Sequence, residues 1–170
     1  MTILALLIGR GGSTGLPGKN VMTILGRPLM AYPLIAAKES RYVDATYVSS
    51  DSEEIMAIGE RFGATRIQRP AELCSTKALG EDAFRHGYEV IREITAAQGD
   101  EIEFMVLLMA NAATITASLI DKGVEILRAD PIMDSAVTVS TYNMWSPIRA
   151  RTLSSSGYLE PFIPFEKYAD

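Results

Sequence analysis

The sequence contains few of the residues on which several classes of protein depend. Its 170 residues include one cysteine, Cys74, and one histidine, His86. A single cysteine excludes an intramolecular disulfide framework and is typical of a reducing compartment, so we expect a cytoplasmic protein. With one histidine, placed within a predicted helix, the chain offers no convincing Ser-His-Asp or Cys-His set for nucleophilic catalysis.

Long apolar runs and an excess of basic residues are also absent. The N-terminal run Ile3–Ile8 is far shorter than the ~20 residues that cross a bilayer, and no basic segment precedes it. It is therefore interpreted as a buried strand. The formal net charge of −5 argues against a general nucleic-acid binder, which usually carries a basic face. We expect neither a nucleic acid nor a membrane as partner.

Apolar runs alternate with helical patterns along most of the chain. This rhythm predicts an α/β fold, a Rossmann-like three-layer sandwich with a mostly parallel sheet. The predicted strands are Thr2–Ile8, Thr46–Ser50, Thr65–Gln68, Phe104–Met109 and Ala136–Ser140, and the predicted helices are Leu29–Ser40, Ser52–Phe62, Ala78–Gln98 and Thr116–Arg128. Since ligands bind at the carboxyl ends of such strands, the loops 9–20, 49–52 and 109–114 should lie near one another.

The alternation of strand and helix patterns ends after Met144. Two short strands are predicted there, at Arg149–Leu153 and Tyr158–Phe165, around a Ser-Gly turn. Pro161 and Pro164 place them at an edge or in a loop. We therefore divide the chain into an α/β domain, residues 1–145, and a second segment, residues 146–170.

The strongest chemical signal is the glycine-rich loop Gly9–Asn20, directly after the first strand. Glycines let backbone N–H groups face an anion, and Arg10 and Lys19 add two positive charges, so the loop suits a triphosphate. It is not a Walker A loop, because Asn20 follows Gly18-Lys19 where Ser or Thr is required, and it lacks the full dinucleotide fingerprint. A flexible glycine linker with incidental charges is the alternative.

The loop resembles the opening signature of the acylneuraminate cytidylyltransferases, which are related to the CMP-KDO synthetases. The matching residues are Arg10, Ser13, Gly15, Pro17, Lys19 and Asn20, while Thr14 stands where the family often has lysine. The resemblance continues through Gly26–Leu29, Val48–Asp51 and Arg69–Leu73, in order and spacing. It implies the nucleotide-diphospho-sugar transferase type of fold for most of the chain.

The resemblance implies a transferase that uses CTP and Mg²⁺. The anomeric hydroxyl of an acidic 2-keto sugar would attack the α-phosphorus, giving a CMP-sugar and pyrophosphate. Arg10 and Lys19 would be catalytic by neutralising charge, and Asn111 would contact the sugar. The implied nucleotide-binding residues are Arg10, Gly11, Gly12, Ser13, Lys19, Asn20, Arg69 and Ala78, and no residue is assigned to the metal.

Several residues keep a second interpretation. Arg69 contacts the nucleotide or pairs with Glu72. Asp51 orients its loop, approaches a metal, or caps the following helix. Cys74 is interpreted as a small packing residue, with a redox role as the alternative.

The sequence also departs from the family pattern. Met109 and Ile115 stand where the family commonly has glutamine and arginine, and Asn111 stands where the KDO branch has a metal-binding aspartate. The family's Asp-x-Asp metal element is not found after Pro161, so residues 146–170 are interpreted as the truncated start of a dimerisation extension, with a homodimer as the expected assembly. An enzyme forming UDP- or GDP-sugars and a non-catalytic nucleotide-binding domain remain alternatives.

Overall fold

The structure is a computed structural model that describes residues 1–12, 15–75, 78–139 and 151–163. The chain divides into two compact units, Met1–Ala136 and Val137–Asp170. In chain order the elements are β1 Thr2–Ile8, β2 Thr23–Ile24, β3 Arg27–Pro28, α1 Ala31–Glu39, β4 Ala45–Ser50, α2 Glu53–Arg61, β5 Thr65–Gln68, a short 3₁₀ helix Ala71–Cys74, α3 Gly80–Ala97, β6 Ile102–Met109, α4 Ala117–Ala129, β7 Arg151–Leu153 and β8 Leu159–Pro161.

The first unit is built on a parallel sheet of four strands in the order β5-β4-β1-β6. The continuous apolar run of β1 is buried on both faces because it lies between two other strands and two layers of helix. Leu4, Leu6 and Ile8 pack on one side with Ile91 of α3. The opposite side packs against the remaining helices through Leu7, Leu34, Ile55 and Ile120. The predicted three-layer α/β fold is confirmed.

Local signals set several element ends where the sequence predicts them. The hydroxyl of Ser52 accepts a hydrogen bond from the Ile55 N–H at 3.4 Å and caps α2. Gly63 has a φ of 90° just after that helix, a left-handed conformation that favours glycine. Thr116 caps α4 by accepting from the Leu119 N–H at 3.3 Å.

The start of α1 differs from the prediction. Pro28, directly before the predicted helix Leu29–Ser40, lies in β3, where it pairs with Thr23 of β2 in a hairpin with a two-residue turn. Leu25 and Gly26 form its turn with φ values of 48° and 81°. The helix begins only at Ala31, so Pro33 falls in its first turn. Backbone N–H groups of the first turn have no acceptor within the helix, so proline costs no hydrogen bond there.

The predicted strand Ala136–Ser140 is wrong over its described part. Residues 136–139 form no strand, and Val137 and Val139 are 77% and 91% exposed, so alternating β-branched residues did not suffice without a pairing partner. Ser140 lies outside the described residues. In the second unit, β7 and β8 pair antiparallel around a turn that contains Gly157 with a φ of 83°, so the predicted pair of strands is present but shorter than predicted. Residues 149–150 and 164–165 of the predicted strands lie outside the described residues. In the described part of the chain, no helix is both long and apolar enough to cross a membrane.

A buried carboxylate joins α1 to α4. Asp121 is 6% exposed and accepts hydrogen bonds from the Ser40 hydroxyl at 2.6 Å, the Arg41 N–H at 3.1 Å and the Arg41 Nε at 2.9 Å. Burial alone would raise the pKa of Asp121, but the hydrogen bonds from Ser40 and Arg41 outweigh burial and lower it. The ionised form of Asp121 therefore stabilises this helix pair.

Candidate functional site

Three loops meet at the carboxyl end of β1, as the strand order requires. The N–H of Gly9 donates to the carbonyl of Ser49 at 3.2 Å, and the N–H of Ala110 donates to the carbonyl of Ile8 at 3.2 Å. The predicted convergence of the loops 9–20, 49–52 and 109–114 is therefore confirmed. This edge is where open parallel sheets bind their ligands.

The two ends of the glycine-rich loop are tied together by Asn20. Its side chain is buried, and its Nδ2 donates to the Arg10 carbonyl at 3.3 Å. The Asn20 carbonyl in turn accepts from the Met30 N–H at 2.9 Å, which anchors the loop to the start of α1. The buried Oδ1 of Asn20 has no hydrogen-bond partner among the described residues. Asn20 thus shapes the loop, and its contact with a nucleotide stays a prediction.

Gly9 allows the loop to leave the sheet close to its neighbour. A Cβ built on Gly9 would lie 2.9 Å from the Cβ of Ala110, closer than real Cβ atoms approach one another. A Cβ on Gly12, by contrast, would meet no atom of the described residues within 4 Å, its chain neighbours aside. At the root of the loop the requirement for glycine is therefore steric. Ser13, a predicted nucleotide ligand, and Thr14 lie outside the described residues.

The two basic residues of the loop line one small cavity. Its volume is about 60 Å³, and it is lined by Arg10, Gly11, Gly18, Lys19, Asn20, Val21, Ser52, Glu54 and Ile55. The Arg10 guanidinium donates from Nη1 to the carbonyl of Ser75 at 2.9 Å. Lys19 is half-buried and forms no ion pair within the described residues. Among the described residues, no carboxylate is paired with Lys19, which leaves its charge available to an incoming anion.

Asp51 contacts the loop from the neighbouring strand end. Its Oδ1 accepts a hydrogen bond from the Gly11 N–H at 2.9 Å. The α2 cap is provided by Ser52, so the capping alternative for Asp51 is not observed. Of the interpretations that the sequence left open for Asp51, the structure shows the one in which it orients the loops.

Arg69 serves the same region from the end of β5. Only 5% exposed, it donates from Nη2 to the Ser49 carbonyl at 2.6 Å and from Nε to the Ser49 hydroxyl at 3.3 Å. Burial lowers its pKa by disfavouring the charged guanidinium. The alternative ion pair with Glu72 is not found in the described part of the chain. Arg69 thus fixes the end of β4, and its contact with a nucleotide stays a prediction.

The other two predicted site residues lie in neighbouring turns. Ala78 is half-buried, and its N–H donates to the Ser75 hydroxyl at 3.1 Å. Because Ser75 also accepts from Arg10, this turn is adjacent to the glycine-rich loop. Asn111 is exposed in the turn after β6, on the third of the converging loops. The structure thus brings most predicted residues to one sheet edge.

Two contributors to this site were not predicted from the sequence. The carbonyl of Ser75 holds Arg10, and Glu54 lines the cavity. Glu54 is recognisable in the sequence only as an acidic residue in the first turn of a helix, where it favours the helix dipole. Nothing in the sequence indicates the Ser75 contact, because a backbone carbonyl carries no residue-specific signal.

Cys74 lies beside this site but has the properties of a packing residue. Its Sγ donates to the Pro70 carbonyl at 3.1 Å, and burial, with the charge of Asp51, raises the pKa of the thiol. A raised pKa means less thiolate, the reactive form. The packing interpretation is therefore favoured over the redox one.

The family resemblance implies a Mg²⁺ ion, which would require oxygen ligands at this site. The described residues contain no group of three or more His, Cys, Asp or Glu side chains that could hold a metal ion. Mg²⁺ in nucleotide sites commonly keeps several waters and takes most other ligands from substrate phosphates, with one or two carboxylates from the protein. Asp51 and Glu54 are the carboxylates at this loop. These residues therefore fit an ion that arrives with a nucleotide, and they do not build a metal site on their own.

Comparison with known proteins places these observations in context. Residues 4–146 match a family model described as Cytidylyltransferase. The N-acylneuraminate cytidylyltransferase of Escherichia coli is 36% identical over 88 residues, which cover 52% of this chain and 21% of that protein. The pseudaminic acid cytidylyltransferase of Campylobacter jejuni is 29% identical over 126 residues, 74% of this chain and 53% of that protein.

A longer match links the chain to a further relative. The 3-deoxy-manno-octulosonate cytidylyltransferase of Bdellovibrio bacteriovorus is 27% identical over 155 residues, 91% of this chain and 55% of that protein. The matches thus span from about a fifth to just over half of these relatives.

Solved structures support the same fold. A CMP:2-keto-3-deoxy-manno-octonic acid synthetase complexed with CTP aligns with a TM-score of 0.59 at 19% identity, covering 78% of this chain and 50% of that one. A 4-diphosphocytidyl-2C-methyl-D-erythritol synthase aligns with a TM-score of 0.56 at 14% identity, covering 73% and 53%. At these identities the likeness supports the shared fold.

Proposed function

The chain belongs to the cytidylyltransferase family, and on this premise we propose that it binds CTP at the glycine-rich loop and transfers CMP to an acidic 2-keto sugar. The observation that carries the proposal is the cavity after β1, where Arg10, Lys19 and the Gly11 amide line one small space at the carboxyl edge of the sheet. Two cations and glycine amides at the end of a parallel strand suit a triphosphate.

The chemistry requires positioning and charge rather than a side-chain nucleophile. The anomeric hydroxyl of the sugar attacks the α-phosphorus and releases its proton to water, the bond from the α-phosphorus to the bridging oxygen breaks, and pyrophosphate leaves. Arg10 and Lys19 neutralise the charge that develops on the phosphate oxygens. Arg10 donates one N–H to the Ser75 carbonyl and has further N–H groups for a phosphate oxygen. Lys19 has no ionic partner among the described residues.

The acceptor is proposed from the relatives. Their names specify N-acylneuraminate, pseudaminic acid and 3-deoxy-manno-octulosonate, which are all acidic sugars. Asn111, exposed in the turn after β6, is the proposed sugar contact. Ser13, Asn20, Arg69 and Ala78 are retained as proposed nucleotide contacts, together with the amides of the loop.

The proposal also includes a metal ion, an assembly and a cellular location. Mg²⁺ is proposed to enter with the phosphates of CTP, where it would screen their charge and stabilise the departing pyrophosphate. A homodimer is proposed through residues 146–170, supported by the resemblance of that segment to a dimer-forming extension. A cytoplasmic location is supported by the single cysteine.

The test is a coupled assay for pyrophosphate release, with mass spectrometry of the products. The protein is incubated with CTP, Mg²⁺ and each of the three acidic sugars, and in parallel with CTP or sugar alone. The proposal predicts pyrophosphate and a CMP-sugar only when both substrates are present. Pyrophosphate with UTP or GTP in place of CTP would support the alternative sugar nucleotidyltransferase, and binding without turnover would support a non-catalytic nucleotide-binding domain.

A further inference from the structure

The hydrogen-bond donors expected to hold phosphate are already occupied by acceptors of the protein. The Gly11 N–H donates to the Asp51 carboxylate at 2.9 Å, and the Arg10 guanidinium donates to the Ser75 carbonyl at 2.9 Å. A phosphate that binds the single N–H of Gly11 must therefore replace the Asp51 carboxylate, whereas Arg10 has further N–H groups beside the one that donates to Ser75. The Ser75 carbonyl is neutral, but the acceptor at Gly11 is a carboxylate with the same sign of charge as the incoming ligand.

The Asp51 carboxylate is held in place by the sheet rather than by the loop. It follows β4, which is hydrogen-bonded to strands on both sides. The turn after β4 is fixed by the Ser50 hydroxyl, which accepts from the Ser52 N–H at 3.0 Å. An added Cβ at Gly11 would lie 3.1 Å from the Cβ of Ser52, so the loop is already packed closely against this turn.

Apart from its contact with the Gly11 amide, the charge of Asp51 favours the charged form of the buried Arg69 guanidinium. The helix cap is provided by Ser52, and Asp51 forms no ion pair within the described residues. Its one recorded hydrogen bond is to the loop amide. A negative charge beside a polyanion site opposes binding unless the carboxylate has a task there.

We propose that Asp51 is an internal competitor for the phosphate site: its carboxylate occupies the Gly11 amide in the nucleotide-free protein, keeps the loop ordered, and is displaced when a phosphate binds. This inference rests on the proposed nucleotide site. Asp51 is thus a positioning residue that lowers the affinity for the phosphate chain, and hydrogen bonding to Gly11 returns when the ligand leaves.

The experiment measures binding of inorganic tripolyphosphate and of CTP by titration calorimetry in metal-free buffer. The Asp51→Asn variant keeps an oxygen that can accept from Gly11 but removes the charge. It is expected to bind both ligands at least about fivefold more tightly, because one nearby repulsive charge near a protein surface has an effect of this order. The gain should shrink as salt is raised, since salt screens the repulsion.

Two further variants separate contact from general charge. Glu54→Gln removes a carboxylate that lines the same cavity but accepts no hydrogen bond from the described part of the loop, so its gain should be smaller. Hydrogen exchange at the Gly11 amide should be slow in the wild type and in Asp51→Asn, and fast in Asp51→Ala. Equal gains in affinity for Asp51→Asn and Glu54→Gln would mean that a non-specific charge effect, and not competition for the Gly11 amide, explains the result.

The remaining outcomes each decide between the inference and its premise. Unchanged or weaker binding by Asp51→Asn in metal-free buffer would overturn the inference, and weakening confined to Mg²⁺ buffer would assign Asp51 to the metal. Tripolyphosphate binding to Asp51→Asn but not to the wild type would support it, whereas binding to neither would overturn it. If Asp51→Asn binds tripolyphosphate fivefold more tightly but the protein does not prefer CTP over other nucleotides, the role of Asp51 is supported and the proposed function is contradicted.

Discussion

The close contact of α2 with the central sheet gives a prediction that can be worked out from distances. Gly59 faces Val48 of β4, and a Cβ built on Gly59 would lie 2.5 Å from Val48 Cγ1 and 2.9 Å from Val48 Cβ. Val48 is fully buried, and its branched side chain is restricted to few rotamers. Because Val48 Cβ is fixed to the strand, a Gly59→Ala variant must move the helix away from the sheet.

Two opposing effects set the size of the change. Replacing glycine by alanine within a helix stabilises by up to about 1 kcal/mol. Inserting a methyl group into a well-packed core costs about 1–3 kcal/mol. The steric effect dominates here, since both the Cβ and Cγ1 of Val48 would be closer than van der Waals contact, so we expect a net loss of about 1–2 kcal/mol in the free energy of unfolding. For a chain of this size that is a fall in Tm of about 2–8 °C.

The assay is thermal and urea unfolding followed by circular dichroism, with two controls. Gly123→Ala, in the middle of α4, places its Cβ no closer than 3.8 Å to any described neighbour, so it should be neutral or stabilising. In a Val48→Ala background the contact with Cγ1 is gone but the contact with Cβ at 2.9 Å remains, so Gly59→Ala should destabilise less there than in the wild type. Gly59→Ala as stable as the wild type, or destabilising to the same extent in both backgrounds, would refute the packing argument.

Three further predictions concern charge. Arg10→Ala and Lys19→Ala should each weaken CTP binding by about 10- to 100-fold in calorimetry, the usual effect of a lost hydrogen bond to a charged group. Asp121 has a lowered pKa in the folded protein, so its contribution to stability is present above the unfolded carboxyl pKa of about 3.9 and is lost as the pH falls through the folded value. The Tm of the wild type should therefore fall more steeply below about pH 4 than that of Asp121→Asn. Cys74, with a raised pKa, should react with iodoacetamide at pH 8 more slowly than glutathione does.

Each of these predictions has a control and a contradicting result. Lys38→Ala, in the last turn of α1, removes a cation outside the cavity and should leave CTP affinity unchanged; equal losses in all three variants would mean a general charge effect. Identical acid profiles of Asp121→Asn and the wild type would show that this carboxylate does not supply the pH dependence. A faster reaction of Cys74 than of glutathione would restore the redox interpretation.

The parts of the fold that follow from local chemistry were predictable. Ser52 and Gly63 bound α2 as their residue types indicate, and the apolar run of β1 is the buried centre of the sheet. The hairpin before α1 was not predicted, because Leu25 adopts a positive φ in a turn where asparagine or glycine is the usual signal. The segment 136–139 shows the opposite error, since its β-branched residues favour a strand that nothing pairs with in the described structure.

The candidate site was predictable as a set of residues but not as a set of contacts. Arg10 and Lys19 lie at the sheet edge because the glycine-rich loop directly follows β1. This placement is predictable from the sequence, in which the loop follows the first predicted strand. The hydrogen-bond partners of Arg69 and Gly11 are 20 and 40 residues away from them along the chain and are brought close only by the tertiary fold. Such contacts leave no periodic or compositional signal, so only the structure shows which acceptors the donors have.

The central claim is a CTP site at the glycine-rich loop, and nucleotide selectivity tests it most directly. Thermal unfolding is measured with CTP, UTP, GTP and ATP, each with and without Mg²⁺, for the wild type and Arg10→Ala. The account predicts a rise in Tm with CTP alone, corresponding to about 2.7 kcal/mol when CTP is present at 100 times its Kd, and a much smaller rise in Arg10→Ala. A rise with another nucleotide instead, or an equal rise with CTP in both proteins, would contradict it.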